Sequence, residues 1–539
     1  MDSILNKLQK LPYYRLLLAG VGGLLLSLSW YPPFSFLIFF ALLPFFILEA
    51  DLTAHKASHR RSFFWVWLMV VLWNIGVYWW LFNAISWLVV AVWFINSGFV
   101  ASTVSIYRLV RNAVHDHRLQ YVMFVSFWVG FEYLHLNWSL TWPWVNIGHT
   151  LASQPIWIQW IEYTGSLGLS VWILVANILA YELLIVKRVP RWAVFATVAV
   201  PLAASWLLYG RYEVTKEVQI ETVVVQPNFD CYTEKFENNP ANGEINSTYV
   251  SYEDQIKRLI SLSERMITPN TKYVFWPETA LHKDINEQNV FTNLYLRNIL
   301  TDFVKKHRLV LVTGADTYAF YTGPENFTPT ANVYDSDPNM AYDYFNSAIQ
   351  LKPNEEVSIY RKSKLVIGAE TNPFIGILPQ SQLLMMFKDV WATLGTQKER
   401  DVFSDVAVVA PVICYESVYG EYVTDYIRKG ANLIAVITND GWWDTRTAPT
   451  QHLNFSVMRA IENRRSVARA ANTGISCFID QRGDILQRSQ YGEAVALRQT
   501  LSLNDGQTFY TKNGDLLGKL SALIAVCSLI AAIFKTILA

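Results

Sequence analysis

Seven apolar runs of membrane-crossing length fill the first part of the chain, near residues 13–30, 34–50, 62–82, 87–107, 119–136, 166–186 and 192–209, and an eighth lies at 517–537. A bilayer core is crossed by about 20 mostly apolar residues in helical form. Only 16% of the chain is charged, against about 25% in ordinary soluble domains, so a large share of it belongs in lipid. The expected organisation is a polytopic α-helical membrane domain over 1–210, an extra-membrane domain over 211–515, and a C-terminal membrane helix over 516–539.

Lysine and arginine placement orients the runs, because short loops rich in these residues stay in the cytoplasm. With the N-terminus inside, the cytoplasmic segments hold Lys7, Lys10, Arg15, Lys56, Arg60, Arg61, Arg108, Arg111, Arg118, Lys187, Arg188 and Arg191. The outer loops 31–33, 81–86 and 137–165 hold none. This predicts both termini in the cytoplasm, the large domain on the outer, periplasmic side, and a first helix that is an uncleaved anchor with no processed signal peptide.

Lys+Arg and Asp+Glu stand at 44 each, so there is no basic field to attract nucleic acid, and no nucleic-acid partner is expected. The cysteines Cys231, Cys414, Cys477 and Cys527 show no C-x-x-C spacing and no clustered histidines. Neither a metal site nor a disulfide framework follows, and no cofactor or nucleotide site is evident. Cys477 and Cys527 read as small buried hydrophobes.

Between 211 and 515 the pattern alternates. Strand-like runs cover 218–226, 273–276, 309–313, 346–351, 406–414 and 433–438, and helical spacing appears at Ile256, Leu259 and Ile260 and at Val290, Leu294, Ile299 and Phe303. This predicts one α/β domain, two stacked sheets with helices outside, an α-β-β-α sandwich.

Three segments place a reactive side chain at the end of a predicted strand, where open α/β sheets assemble their sites. They are Phe275-Trp276-Pro277-Glu278-Thr279, Tyr360-Arg361-Lys362-Ser363-Lys364 and Val412-Ile413-Cys414-Tyr415-Glu416-Ser417. A free thiol of pKa about 8.5 is mostly protonated at neutral pH, so an acyl-transfer site must supply a base or a positive environment. Glu278 is the candidate base. Lys362 suits a tetrahedral oxyanion, and Cys414, before an expected helix over 417–429, is the candidate nucleophile. Taken singly, each has an ordinary reading as a cap, a surface cation or a core thiol.

The order Glu, Lys, Cys resembles the nitrilase, or carbon-nitrogen hydrolase, superfamily. Eight membrane helices narrow the resemblance to the apolipoprotein N-acyltransferases. Similar segments are Ser29-Trp30-Tyr31-Pro32-Pro33, Trp142-Pro143-Trp144, Val225-Gln226-Pro227-Asn228, Phe345-Asn346-Ser347-Ala348, Thr438-Asn439-Asp440 and Gln507-Thr508-Phe509-Tyr510-Thr511. The resemblance implies a ping-pong acyltransferase of the bacterial inner membrane. Cys414 would take an acyl chain from a phospholipid, typically phosphatidylethanolamine, and pass it to the N-terminal amine of an S-diacylglyceryl-cysteine apolipoprotein. It also implies supporting roles for Glu370, Tyr415 and Glu416, with Glu370 and Glu416 holding Lys362 and ordering the pocket and Tyr415 shaping the acyl site. The chain departs from the family at Val366-Ile367-Gly368-Ala369-Glu370-Thr371-Asn372-Pro373, which keeps the glutamate and the proline of the usual loop but alters what lies between. A membrane-anchored amidase acting on a small amide is the alternative, and eight helices argue against it, since one would anchor such an enzyme.

Residues 373–394 carry more apolar surface than a loop beside a polar site needs. Phe374, Leu383, Met386, Phe387 and Trp391 are expected to form a lid that touches lipid chains. Glu132 falls inside the fifth run, near its outer end, where it either serves a function or reaches for the interface. His452, Arg459 and Glu462 read as framework, and the outer-loop tryptophans as an interfacial belt.

Overall fold

The computed structural model describes residues 13–214, 217–240, 243–290, 294–372 and 393–538. The chain divides into two compact units, 1–212 with 513–539, and 213–512.

The first unit is helical: α1 (Tyr14–Leu28), α2 (Leu43–Ala54) after a 3-10 turn (Phe34–Phe39), α3 (His59–Tyr78), α4 (Leu88–Arg111), α5 (His117–Asn137), α6 (Ile161–Tyr181) and α7 (Arg191–Arg211). Among the described residues, six helical segments, the one at Leu516–Lys535 included, are long and apolar enough to cross a membrane. Helices also form at the two remaining runs, but α1 is short, and α5 is diluted by Arg118, Gln120, Glu132 and His135. Small residues let the helices approach. A Cβ on Gly130 of α5 would sit 3.0 Å from Ala522 of the C-terminal helix, a close crossing of the kind that holds helices together in lipid.

Two expectations for this unit need correction. Glu132 does not reach for the interface: it is 3% exposed, and Oε1 accepts from Trp128 Nε1 at 3.1 Å and from the Ile147 backbone at 2.7 Å. Burial without those donors would cost several kcal/mol, so the side chain turns inward to pin the 143–151 turn. Cys527 is exposed rather than buried. On an apolar membrane helix the exposed face is the lipid face, and a small thiol is at home there.

The second unit holds two sheets. The first has the order β14 (Val495–Ser502), β1 (Gln219–Gln226), β2 (Thr271–Phe275), β4 (Val310–Thr322), β6 (Asp337–Leu351) and β5 (Asn332–Tyr334), with β3 (Leu281–Asn286) beside β4 and β7 (Val357–Arg361) beside β6. The second runs β13 (Ile485–Arg488), β12 (Cys477–Ile479), β11 (Ser466–Ala471), β10 (Leu433–Thr438), β9 (Val408–Ile413) and β8 (Phe403–Ser404). The strands nearest the site are parallel: β1, β2 and β4 in one sheet, β9, β10 and β11 in the other.

Side chains alternate across each strand, which divides the core in two. Val223, Val225, Val274 and Trp276 pack with Ile256 and Leu259 of α8 (Tyr252–Glu264) and Leu300 and Phe303 of α9 (Leu294–His307). Tyr273 and Phe275 face the other way, their rings stacked at 5.7 Å, and the Tyr273 hydroxyl donates to the Ala407 carbonyl just before β9. Helices α10 (Gly420–Arg428) and α11 (Thr447–Asn463) cover the second sheet, completing the α-β-β-α sandwich.

Candidate active site

Glu278, Lys362 and Cys414 come just after β2, β7 and β9, so two sheets contribute one cluster. Each strand end is shaped to aim its side chain. At β2, Gly314 lets the following turn lie against β4: its N–H donates to the Pro277 carbonyl at 3.0 Å, and a Cβ there would stand 2.5 Å from the Glu278 Cα. At β9 the chain turns sharply, with Cys414 at φ +49°, a left-handed conformation that costs a non-glycine residue about 1–3 kcal/mol unless its surroundings enforce it.

The enforcing contacts are on hand. The Cys414 carbonyl accepts from Ser417 Oγ at 2.7 Å and lies 3.0 Å from His452 Nε2. His452 Nδ1 lies 2.9 Å from Asp440, whose other oxygen accepts from Arg469 at 2.7 Å. All three side chains are fully buried. His452 thus braces the backbone of the candidate nucleophile, while Arg459 and Glu462 pair at 2.8 Å and Arg459 donates to the Val418 carbonyl.

Lys362 Nζ lies 2.8 Å from both Glu278 Oε1 and Glu370 Oε1. Asn346 Nδ2 donates to the same two oxygens, at 2.8 and 2.9 Å, and Glu370 Oε2 accepts from the Val366 N–H at 2.8 Å. Glu416 does not reach the lysine. Its carboxylate accepts from the backbone N–H of Ser363, beside Lys362, at 2.8 Å, and from that of Ile413, beside Cys414, at 2.9 Å. The Tyr360 and Tyr422 hydroxyls complete its shell at 2.7 and 2.6 Å. Glu416 is therefore a cross-brace between the lysine strand and the cysteine turn. Tyr415 is buried with its ring 5.3 Å from Tyr419, edge to face.

These contacts fix the resting charges. Burial alone would raise the Glu278 carboxyl, but the Lys362 ammonium beside it, with Asn346, holds it below the usual carboxylate value. Burial works against the Lys362 ammonium too, and the two glutamates overcome it, keeping the charge well past neutral pH. Burial pushes the Cys414 thiol up and the Glu278 charge adds to this, with Lys362 offsetting only part. The cluster rests as a neutral thiol beside an ionised carboxylate and an ammonium. It can move the thiol proton to Glu278 as sulfur attacks a carbonyl, and it can meet the new oxyanion with Lys362.

Several participants were not read as site residues from the sequence. Asn346 and the Asn439 backbone both hold Glu278, and buried Lys235 reaches the Thr279 hydroxyl and, at 3.5 Å, the Glu278 carbonyl. A polar residue within or just past a hydrophobic strand was the available signal for the two asparagines. Phe374, Leu383, Met386, Phe387 and Trp391, expected as a lid, lie outside the described residues.

Comparison with known proteins matches residues 22–179 to the apolipoprotein N-acyltransferase N-terminal domain and residues 241–508 to the carbon-nitrogen hydrolase domain. The chain is 26% identical to an apolipoprotein N-acyltransferase of Chlorobaculum tepidum, with 98% of each chain covered. It is 26% identical to one of Treponema denticola, with 95% of each covered, and 25% identical to one of Geobacter metallireducens, covering 96% of this chain and 94% of that one. Among solved structures, Saccharomyces cerevisiae Nit3 of the nitrilase superfamily is 16% identical over 54% of this chain and 92% of its own, with a TM-score of 0.36.

Proposed function

We propose, from the premise that this chain belongs to the apolipoprotein N-acyltransferase family, that it moves a fatty acyl chain from a phospholipid to the N-terminal amine of an S-diacylglyceryl-cysteine apolipoprotein through an acyl thioester on Cys414. The observation that carries the residue assignment is Glu278 Oε1 set 2.8 Å from Lys362 Nζ in a fully buried pair, beside a buried thiol.

In the first half-reaction Glu278 takes the Cys414 proton as sulfur adds to the ester carbonyl, and the Lys362 ammonium stabilises the tetrahedral oxyanion. Collapse breaks the ester C–O bond, and the departing lysophospholipid oxygen takes the proton from Glu278. In the second, the acceptor amine adds to the thioester carbonyl and gives a proton to Glu278. Collapse breaks the C–S bond, and the proton returns to sulfur. The Asn346 and Glu370 contacts keep Lys362 placed through both halves.

The protein is a multi-pass membrane protein. In our reading it lies in the bacterial inner membrane with both termini cytoplasmic and residues 213–512 periplasmic, supported by the twelve basic residues of the inner segments against none in the outer loops. Phosphatidylethanolamine is the donor we assign.

Mass spectrometry of the purified protein incubated with phosphatidylethanolamine tests the proposal. A fatty acyl adduct on Cys414 and released lysophospholipid are expected, both lost in Cys414→Ala. An adduct on Cys231 or Cys477 instead would overturn the assignment.

A further inference from the structure

The turn that carries Glu278 is strained. Thr279, the residue after it, has φ +48°, a left-handed conformation that a residue branched at Cβ adopts only where its surroundings enforce it. Gly314 ties the turn at the Pro277 carbonyl. Lys235 takes the next two residues: its Nζ donates to the Thr279 hydroxyl and lies 3.5 Å from the Glu278 carbonyl oxygen.

Lys235 is itself fixed. It lies in the loop between β1 and α8 and is 2% exposed. Its N–H donates to the Asp230 carbonyl at 2.9 Å, and its own carbonyl accepts from Gln255 Nε2 of α8 at 2.8 Å. The same Gln255 amide donates to the Val250 carbonyl at 2.8 Å, and Lys235 Nζ lies 5.4 Å from the centroid of the Phe236 ring. Burial works against the Lys235 ammonium, and the negative charges of Asp316 and Glu278 oppose that. An amine is a costly way to fill such a space, since it gives up its hydration where an apolar side chain would give up nothing. What the amine gains is two directed contacts, and both are to the turn that carries the base.

We propose that Lys235 is a positioning residue for the general base: it locks the Glu278–Thr279 turn in its left-handed bend and so sets the direction in which the Glu278 carboxylate points. The inference rests on the role given to Glu278 in the function proposed above. Lys362, Asn346 and the Asn439 N–H hold the carboxylate oxygens, whereas Lys235 holds the backbone from which the side chain departs. Without it the turn relaxes toward an ordinary φ and carries the carboxylate off line, and a displacement of about 1 Å costs a reaction on the order of 10²-fold. Lys235 acts through Glu278, so its contribution disappears once residue 278 can no longer take a proton.

The test is a double-mutant cycle on the rate of Cys414 thioester formation, followed by mass spectrometry in the full-length enzyme in nanodiscs with a p-nitrophenyl fatty acyl ester as donor. Lys235→Met, which keeps an unbranched side chain and removes the amine, is expected to lose about tenfold or more in the wild-type background. In the Glu278→Gln background it should lose less than about threefold, because the two residues act as a unit. Equal factors in both backgrounds would make Lys235 a prop of the fold and overturn the proposal, as would Lys235→Met at the wild-type rate. Thr279→Val and Thr279→Ser make the comparison with the lysine in place. Thr279→Val, which removes the hydroxyl that Lys235 holds, should be slower by about threefold or more, the scale of one lost hydrogen bond, and Thr279→Ser should recover most of that loss. No difference between the two would overturn the proposal even if Lys235→Met failed to fold. Thioester formation at the wild-type rate in Glu278→Gln alone would overturn the role of Glu278 in the proposed function, and this inference with it.

Discussion

The backbone N–H of Asn439, at the end of β10, donates to Glu278 Oε2 at 2.9 Å. The other oxygen of that carboxylate is held by Lys362 and Asn346 from the opposite sheet. Glu278 is thus gripped on both oxygens, one by each sheet, and its position is set more tightly than a single salt bridge would set it.

Glu278→Gln keeps the size of the side chain, removes its ability to take a proton, and turns an amide N–H toward one of the donors that grip the carboxylate. Thioester formation should fall by about 10² to 10⁴-fold, the span of general-base contributions, with the circular dichroism spectrum unchanged. The carboxyl is held below its ordinary value of about 4.3, so the ionised, active form persists as pH is lowered and is lost only below that range. The rate should stay level from pH 7 down to about 5. An acid limb centred at pH 6 or above in the wild type would contradict the charge assignment.

Glu416→Gln places an amide where four donors converge. At least one backbone N–H, of Ser363 or Ile413, then faces another N–H. A buried donor left unsatisfied costs about 1–3 kcal/mol, so the variant should inactivate at lower temperature. Because those two N–H groups flank Lys362 and Cys414, turnover should also drop at temperatures where the protein remains folded. Thermal inactivation and steady-state rates measured together check this, and an unchanged rate in a destabilised protein would deny the bracing role.

Gly314→Ala drives a methyl group toward the Glu278 Cα, 2.5 Å away, and toward the Thr279 nitrogen. The turn after β2 must shift, at about 1–3 kcal/mol for the overpacking, and Glu278 moves with it. Activity should fall by at least tenfold while the helical signal of the membrane unit is unchanged. Wild-type activity in this variant would show that the turn tolerates displacement.

The strands that deliver Glu278 and Cys414, Thr271–Phe275 and Val408–Ile413, were legible because they are short, mostly hydrophobic runs that end just before polar groups. Others were not. Ser466–Ala471 contains Arg469, which reads as a surface residue until Asp440, distant in sequence, is seen to pair with it. Val495–Ser502 carries Arg498, Gln499 and Thr500 on a half-exposed edge. Within the site, the reacting side chains could be read from their chemistry. The Asn439 contact could not, since a backbone N–H leaves no mark in the choice of residue.

The first strand of the sandwich, Gln219–Gln226, lies between Thr271–Phe275 and Val495–Ser502, nearly the last piece of the domain to be made. During synthesis one edge of that strand must wait for almost the whole domain to leave the ribosome, since pairing across so long a loop comes late. Glu278 belongs to that sheet and Cys414 to the other. The sheet that carries the base is thus completed by a strand made after the nucleophile, so the two halves of the reactive cluster rest on parts of the fold finished at different times.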